Sequence, residues 1–163
     1  MSTITLLTGD KPSGKRFPKP SGKLPFPYLH DYKVLEINSL QDIKEIIETN
    51  RGNPNNYFIR GVPHTFEANG KYRRRIVNTT DTLQKWICLD IDGISKDKSV
   101  RDYLISELPF VEETTGILLD YSSKEGVYGS DIDYRDKYYV HAYMLCDKGF
   151  ISAEWKQRLK DFS

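Results

Sequence analysis

The chain has 163 residues and an almost balanced charge, with 24 lysines and arginines against 23 acidic residues, so its net charge indicates no particular partner. The length suits one domain with its own core, and no apolar stretch is long enough to span a bilayer. The two cysteines, Cys88 and Cys146, lie in apolar strand-like runs, which is typical of reduced core residues. We therefore expect a cytoplasmic protein without a membrane partner.

The N-terminal part predicts one short strand followed by a basic arm. Residues 3–7 form the strand, whereas residues 9–27 are so rich in proline and glycine that no regular element can form there. The arm has a single acidic residue, Asp10, and five basic ones: Lys11, Lys15, Arg16, Lys19 and Lys23. Two interpretations stay open, a solvated flexible linker and an arm that contacts phosphates.

The next part predicts a strand, a helix and two further strands. Residues 32–37 form a strand, after which Ser39 caps a helix with Asp42 three residues on. The helix has an apolar stripe along one side, made of Leu40, Ile43, Ile46 and Ile47. Further strands are expected at residues 57–60 and, in a strongly basic segment, at residues 71–77.

The C-terminal half alternates strands with helices. Apolar strand-like runs cover residues 86–92, 116–121 and 138–146. Helices are expected at residues 100–108, stopped by Pro109, and at residues 153–162, capped by Ser152. A turn and a polar loop fill residues 122–137. This order of elements predicts an α+β (mixed α/β) fold. Because a strand normally follows and covers a helix such as the last one, we expect the chain to continue in a longer protein.

The most informative segment is residues 86–93, an apolar run that ends in two aspartates one residue apart and a glycine. Because side chains alternate along a strand, the apolar residues face one side, and Asp90 and Asp92 point together from the other. At a separation of about 6.6 Å the two carboxylates repel by about 3 kcal/mol at an effective dielectric of about 20, and a divalent cation removes that repulsion. The pair predicts an Mg²⁺ or Mn²⁺ site of oxygen ligands. The alternative is a strand end whose aspartates simply face water.

Three further features can converge on the two aspartates. His141 shares one side of its strand with Tyr139 and Tyr143, where it is either structural or a donor to phosphate. Ser122 and Ser123 open either a plain turn or an anion-binding loop. Arginines form either a solvated face or phosphate ligands: Arg60, Arg73, Arg74 and Arg75. A divalent metal, a triphosphate and a polyanion are the partners of a nucleotidyl transferase.

The order of these motifs resembles the archaeo-eukaryotic primase superfamily, in particular the primase-polymerase domains joined to helicases in phage and plasmid replication proteins. The resemblance covers most of the chain, in order, through residues 5–9 with 15–17, 59–61, 73–75, 89–93, 121–123 with 126–127, and 141–143. An isolated Asp-x-Asp is widespread, whereas the ordered combination with the two serines and the strand histidine is fairly specific.

The resemblance implies a template-dependent DNA primase or polymerase that adds NTP or dNTP with two Mg²⁺ or Mn²⁺ ions. It implies a catalytic core over residues 28–163 with a central, mostly antiparallel, RRM-like sheet flanked by helices. Residues 1–27 would be an N-terminal strand and basic arm. The implied partners are a single-stranded DNA template, the nucleotide, and a helicase domain in the same longer chain, in the cytoplasm of a bacterium or a phage-infected host.

The resemblance also implies roles for individual residues. Asp90, Asp92 and His141 would be catalytic. The two aspartates would ligate the metals, and His141 would contact the phosphates of the incoming nucleotide. The remaining nucleotide-binding residues would be Ser122, Ser123 and Arg60. Nucleic acid would be bound by basic residues, namely Lys15, Arg16, Arg73, Arg74 and Arg75.

Two departures separate this chain from the family pattern. The second motif is usually Ser-x-His, whereas here Tyr139 stands where the serine would be. The third motif, a carboxylate on a later strand, is not evident, so we expect it beyond Ser163.

Two other classes match parts of the sequence. A haloacid-dehalogenase-like phosphatase would use Asp90 as a nucleophile, but its motif normally ends the first strand and is followed by Thr or Val, whereas here it lies mid-chain before Ile94. A non-catalytic nucleic-acid-binding module, whose acids are structural, is the other alternative.

Overall fold

The computed structural model describes residues 2–9, 30–60, 83–122, 128–129, 132–133 and 135–161. Over these residues the chain is a mixed α/β protein with three helices and antiparallel sheets, which confirms the predicted class. It divides into two compact units, one of Met1–Lys85 with Lys148–Ser152 and one of Trp86–Asp147 with Ala153–Ser163. No helix of the described residues is long and apolar enough to cross a membrane.

The first unit contains β1 (Ser2–Gly9), β2 (His30–Ile37), α1 (Leu40–Asn50) and β3 (Asn56–Arg60). β1 is the central strand and pairs with both neighbours in antiparallel register. Ile4 and Leu7, which lie on opposite faces of β1, are both fully buried.

Helix α1 begins where the sequence predicts it. The Ser39 hydroxyl accepts from the Asp42 backbone N–H at 3.1 Å, and the Asp42 carboxylate accepts from the Ser39 N–H at 2.9 Å, which completes a capping box. Hydrogen bonds from the backbone N–H groups of Asn38 and Ser39 hold the pKa of Asp42 below its usual value. The predicted apolar stripe is buried at Ile43 and Ile47.

The remaining elements are β4 (Gln84–Ser95), α2 (Val100–Glu107), β5 (Ile117–Tyr121), β6 (Tyr128–Gly129), β7 (Ile132–Asp133), β8 (Lys137–Phe150) and α3 (Ser152–Asp161). β8 is the central strand of a second sheet, between β4 and β5. β5 pairs with it in antiparallel register. β4 also runs antiparallel to β8, because Lys96, just after β4, donates its N–H to the carbonyl of Asp136, just before β8.

The structure corrects several predicted boundaries. β4 and β8 extend beyond the predicted residues 86–92 and 138–146, because backbone pairing with a neighbouring strand continues after the apolar alternation stops. Gly9 belongs to β1 rather than to the arm, and Ser152 is the first residue of α3 rather than its cap. β6 and β7 pair in a stretch predicted as a loop, because strands of two residues are too short to carry a hydrophobic period. Residues 10–29 and 61–82, which include the predicted arm and basic strand, lie outside the described residues.

Candidate metal and nucleotide site

The two aspartates of β4 lie on one face of the second sheet. Asp90 and Asp92 are exposed, and Ile91 between them is only 7% exposed, which is the alternation expected of a strand with one buried face. Ile87 is buried on the same side as Ile91. The carboxylates therefore project together toward solvent, as the sequence predicts.

β8 presents His141 on the same side of the sheet. The opposite side of β8 is apolar as predicted, since Val140, Ala142 and Met144 are all buried. The tyrosines flanking the histidine, Tyr139 and Tyr143, are also buried, although the sequence places them on the more polar side. Among Tyr139, His141 and Tyr143, His141 is therefore the half-exposed residue, with 36% of its side chain accessible.

Asp90 and His141 are in contact across neighbouring strands. The His141 Nε2 atom lies 3.4 Å from the Asp90 Oδ1 atom. The Asp90 side chain is 63% exposed, so the pair lies at a surface that a ligand can reach, and solvent weakens its electrostatic attraction. A carboxylate and an imidazole are thereby presented side by side, one suited to a cation and the other to an anion.

A third side chain of the site, Asp120, was not predicted. It lies on β5 directly opposite His141 in the antiparallel register, and its Oδ2 atom is 3.9 Å from His141 Nδ1. The sequence held a usable signal, because an aspartate inside the apolar run of β5 is unusual unless it has a partner. The apolar pattern of the run predicts a strand but does not indicate the partner of the carboxylate within it.

A half-buried thiol, Cys88, lies next to the site. The Tyr143 hydroxyl donates a hydrogen bond to the Cys88 sulfur, and the Tyr143 ring stacks near that of Trp86 with 6.3 Å between ring centroids. Burial, and secondarily the charges of Asp90 and Asp120, raise the pKa of Cys88 to about 12. Burial also raises the pKa of Tyr143, and Cys88 and the same two aspartates raise it further. Both groups are neutral at physiological pH, so neither adds a charge to this face.

Cys88 should therefore resist alkylation in the folded protein. A rise in pKa from 9.0 to about 12 lowers the thiolate fraction at pH 8 about a thousandfold, and the thiolate is the reactive form. In a Cys146→Ser variant, where Cys88 is the remaining thiol, iodoacetamide should modify the native protein far more slowly than the urea-unfolded protein. Mass spectrometry measures both rates, and equal rates would contradict a neutral thiol that the fold protects.

Gly93 closes the aspartate motif in a conformation that favours glycine. Its φ is +82°, in the left-handed region, and a Cβ there would lie 3.7 Å from the Tyr139 hydroxyl. Gly52, in the first unit, has a similar φ of +89° with nothing near its Cβ position. The left-handed φ of Gly93, and not a lack of space for a side chain, therefore favours glycine at this position.

These two glycines form a matched pair for mutation. Gly93→Ala and Gly52→Ala should each lower the free energy of unfolding by about 1–2 kcal/mol, because alanine is strained at these angles. Gly93→Ala should in addition weaken metal-dependent nucleotide binding, since the strain falls on the residue after Asp92. Urea unfolding and nucleotide titration separate the two effects, and equal binding by both variants would show that Gly93 does not shape the site.

The other predicted site residues fall in different places. Ser122 follows β5, and its N–H donates to the Tyr139 carbonyl at 2.8 Å, so the start of the serine loop is held beside β8. Arg60 ends β3 in the first unit. The remaining predicted ligands lie outside the described residues: Ser123, Lys15, Arg16, Arg73, Arg74 and Arg75.

The chemistry of the residues at the site suits a hard divalent cation. Asp90 and Asp92 offer oxygen ligands at an exposed position, where water can complete the coordination of Mg²⁺ or Mn²⁺. Among the described residues, no group of three or more His, Cys, Asp or Glu side chains is arranged to hold a metal ion. Asp90 and Asp92 are therefore a pair of exposed carboxylates rather than a complete set of ligands within the described part of the chain.

Comparison of the chain with protein-family models, with curated proteins and with solved structures gave no match.

Proposed function

We propose that the chain is the metal- and nucleotide-binding part of a template-dependent nucleotidyl transferase, a DNA primase or polymerase of a mobile-element replication protein. The observation that carries the proposal is the contact between Asp90 and His141, 3.4 Å apart on neighbouring strands. A metal–triphosphate complex needs carboxylates for the ion and a donor for the phosphates within one small area. The finer fold assignment, a primase-polymerase core with an RRM-like sheet, is part of the same proposal.

The proposed reaction assigns a separate task to each side chain. Asp90 and Asp92 would hold the divalent cations, which would neutralise the triphosphate and stabilise the attacking and leaving oxygens. His141 lies beside Asp90, so a phosphate next to the bound cation is within reach of its imidazole N–H. The backbone at Ser122 opens the loop that would approach the nucleotide. The template would be bound by the basic residues of the arm and of residues 73–75, and a helicase domain would follow in the longer protein.

The proposal is tested by nucleotide incorporation with the full natural protein on a single-stranded template. Incorporation of NTP or dNTP with Mg²⁺ or Mn²⁺ is the expected result. Hydrolysis of phosphate monoesters through a covalent Asp90 intermediate would instead support the phosphatase alternative. Template binding without incorporation under either metal would overturn the enzyme assignment.

The non-catalytic binding module remains the second candidate function. It is favoured by the finding that the described residues contain no group of three possible metal ligands, because two carboxylates alone bind a divalent ion weakly. Under this alternative the aspartates are dispensable, and single-stranded DNA binding is unchanged when they are replaced.

His141→Ala should chiefly raise the KM for nucleotide, by about 10- to 100-fold, with a smaller change in kcat, because a charge-assisted contact to phosphate is lost while the metal ligands stay. His30→Ala, on β2 of the first unit, is the matched histidine control. Steady-state kinetics with the nucleotide varied give both constants. A fall in kcat with KM unchanged would mean that His141 does not bind the ground-state triphosphate.

A further inference from the structure

His141 lies between two carboxylates on different strands. Its Nε2 atom faces Asp90 on β4 at 3.4 Å, and its Nδ1 atom faces Asp120 on β5 at 3.9 Å. The two carboxylates differ in exposure, since the Asp90 side chain is 63% accessible and that of Asp120 only 22%. Asp90 is therefore the carboxylate that a ligand can reach. Asp120 is more covered and lies next to the other ring nitrogen of His141.

This arrangement argues against Asp120 as a ligand of the same metal ion as Asp90. Two oxygen ligands of one Mg²⁺ ion can be at most about 4.2 Å apart, twice the usual metal–oxygen distance of about 2.1 Å. Here the imidazole ring separates the carboxylates, because each contacts a different ring nitrogen. The contact that links Asp120 to the proposed site is therefore the one with His141.

Strand pairing fixes Asp120 in this position. Asp120 is directly opposite His141, and Leu118 is opposite Tyr143. Just beyond β5, the Ser122 N–H bonds to the Tyr139 carbonyl at 2.8 Å, so pairing continues on the other side of Asp120. Because the backbone is paired on both sides of Asp120, its carboxylate is kept next to the ring of His141 on the neighbouring strand.

The geometry points to Asp120 as a positioning residue for His141. Its carboxylate attracts the Nδ1 edge of the ring and so directs Nε2 toward the face where Asp90 and the triphosphate lie. The 3.9 Å separation is longer than a hydrogen bond, so the contact is electrostatic here and can shorten when a phosphate engages the other nitrogen. The expected effect of Asp120 on nucleotide binding rests on the proposed function, whereas its expected effect on the orientation of the His141 ring does not.

The first test observes the ring directly and needs no nucleotide. The chain has three histidines, so the ring-nitrogen signals of His141 in long-range ¹H–¹⁵N spectra can be assigned by their loss in His141→Ala. At one fixed pH, Asp120→Ala should shift these signals, and Asp120→Asn, which keeps an acceptor oxygen, should shift them less. Asp147→Asn is the control, because Asp147 is an exposed carboxylate on β8, the strand of His141. This variant should leave the His141 signals unchanged. Unchanged His141 signals in a folded Asp120→Ala protein would overturn the inference.

The second test is a double-mutant cycle on the KM for nucleotide. Asp120→Ala should raise KM about tenfold with little change in kcat, and adding it to His141→Ala should raise KM no further, because a positioning residue acts only through its partner. Multiplicative effects would overturn the inference. If Asp120→Ala does not fold, Asp120→Asn replaces it in the cycle: it should raise KM by a smaller factor when His141 is present and not at all in His141→Ala. Absence of nucleotide binding in the unmodified protein would refute the proposed function, whereas the spectroscopic test would still decide the role of Asp120.

Discussion

Asp92→Ala and Asp90→Ala should each abolish metal-dependent nucleotide incorporation, with a loss of at least about two to three orders of magnitude in kcat/KM. Each substitution removes one of the two carboxylates that β4 presents on its exposed face. A single carboxylate cannot hold the metal ions against the negative charge of a triphosphate. Asp92→Ala is the cleaner of the two variants, because it leaves the contact between Asp90 and His141 in place.

Asp97→Ala is the matched control for both aspartates. Asp97 is an exposed carboxylate in the turn after β4, where it accepts a hydrogen bond from the Ser95 hydroxyl at 2.6 Å. It carries the same charge close by in sequence but lies outside the proposed site, so incorporation should stay within a fewfold of normal. Full activity in Asp90→Ala or Asp92→Ala would show that the replaced aspartate is not a metal ligand. An equal loss in Asp97→Ala would show that the effect comes from general charge or folding.

Ile91→Ala should lower the free energy of unfolding by about 2–5 kcal/mol, a large part of the total stability of a typical domain. The Ile91 side chain is 7% exposed and lies on the buried face of β4, between the two outward-facing aspartates. Its truncation removes buried apolar area and leaves a cavity that the sheet can fill only in part. Nucleotide binding should weaken as well, because the strand segment that holds both carboxylates loses its anchor.

Leu145→Ala provides the comparison for this core substitution. Leu145 lies on β8 of the same sheet and is 38% exposed, so its truncation should lower the free energy of unfolding by less than about 1 kcal/mol. Urea unfolding followed by circular dichroism measures both variants. Equal destabilisation by the two variants would contradict the assignment of Ile91 to the buried face, and with it the outward direction of Asp90 and Asp92.

The local features of the fold were largely predictable from sequence because short-range physics determines them. The Ser39–Asp42 capping box, the apolar stripe of α1 and the alternation around Ile91 all depend on residues a few positions apart. The strand ends were not predictable in the same way, because pairing with a neighbouring strand extends β4 and β8 past the apolar run. β6 and β7 were missed because two-residue strands have no periodicity to detect.

The candidate site was predictable only where a motif lies within one element. The Asp-x-Asp pair of β4 is such a motif, and alternation alone gives its common face. The partners of His141 depend on which strands flank β8 and in which register, and no local rule supplies that information. For this reason the sequence alone does not reveal that Asp120 on β5 lies opposite the histidine.

The most direct test of a shared metal and nucleotide site is paramagnetic broadening of His141 by Mn²⁺. With a nonhydrolysable triphosphate present, a small amount of Mn²⁺ should broaden the side-chain resonances of His141, because the ion would lie at Asp90, whose carboxylate is 3.4 Å from the ring. The same addition should leave those resonances sharp in Asp92→Ala, in which the ion is no longer held. Sharp His141 signals in the unmodified protein, or equal broadening in Asp92→Ala, would contradict a metal site formed by these aspartates beside His141.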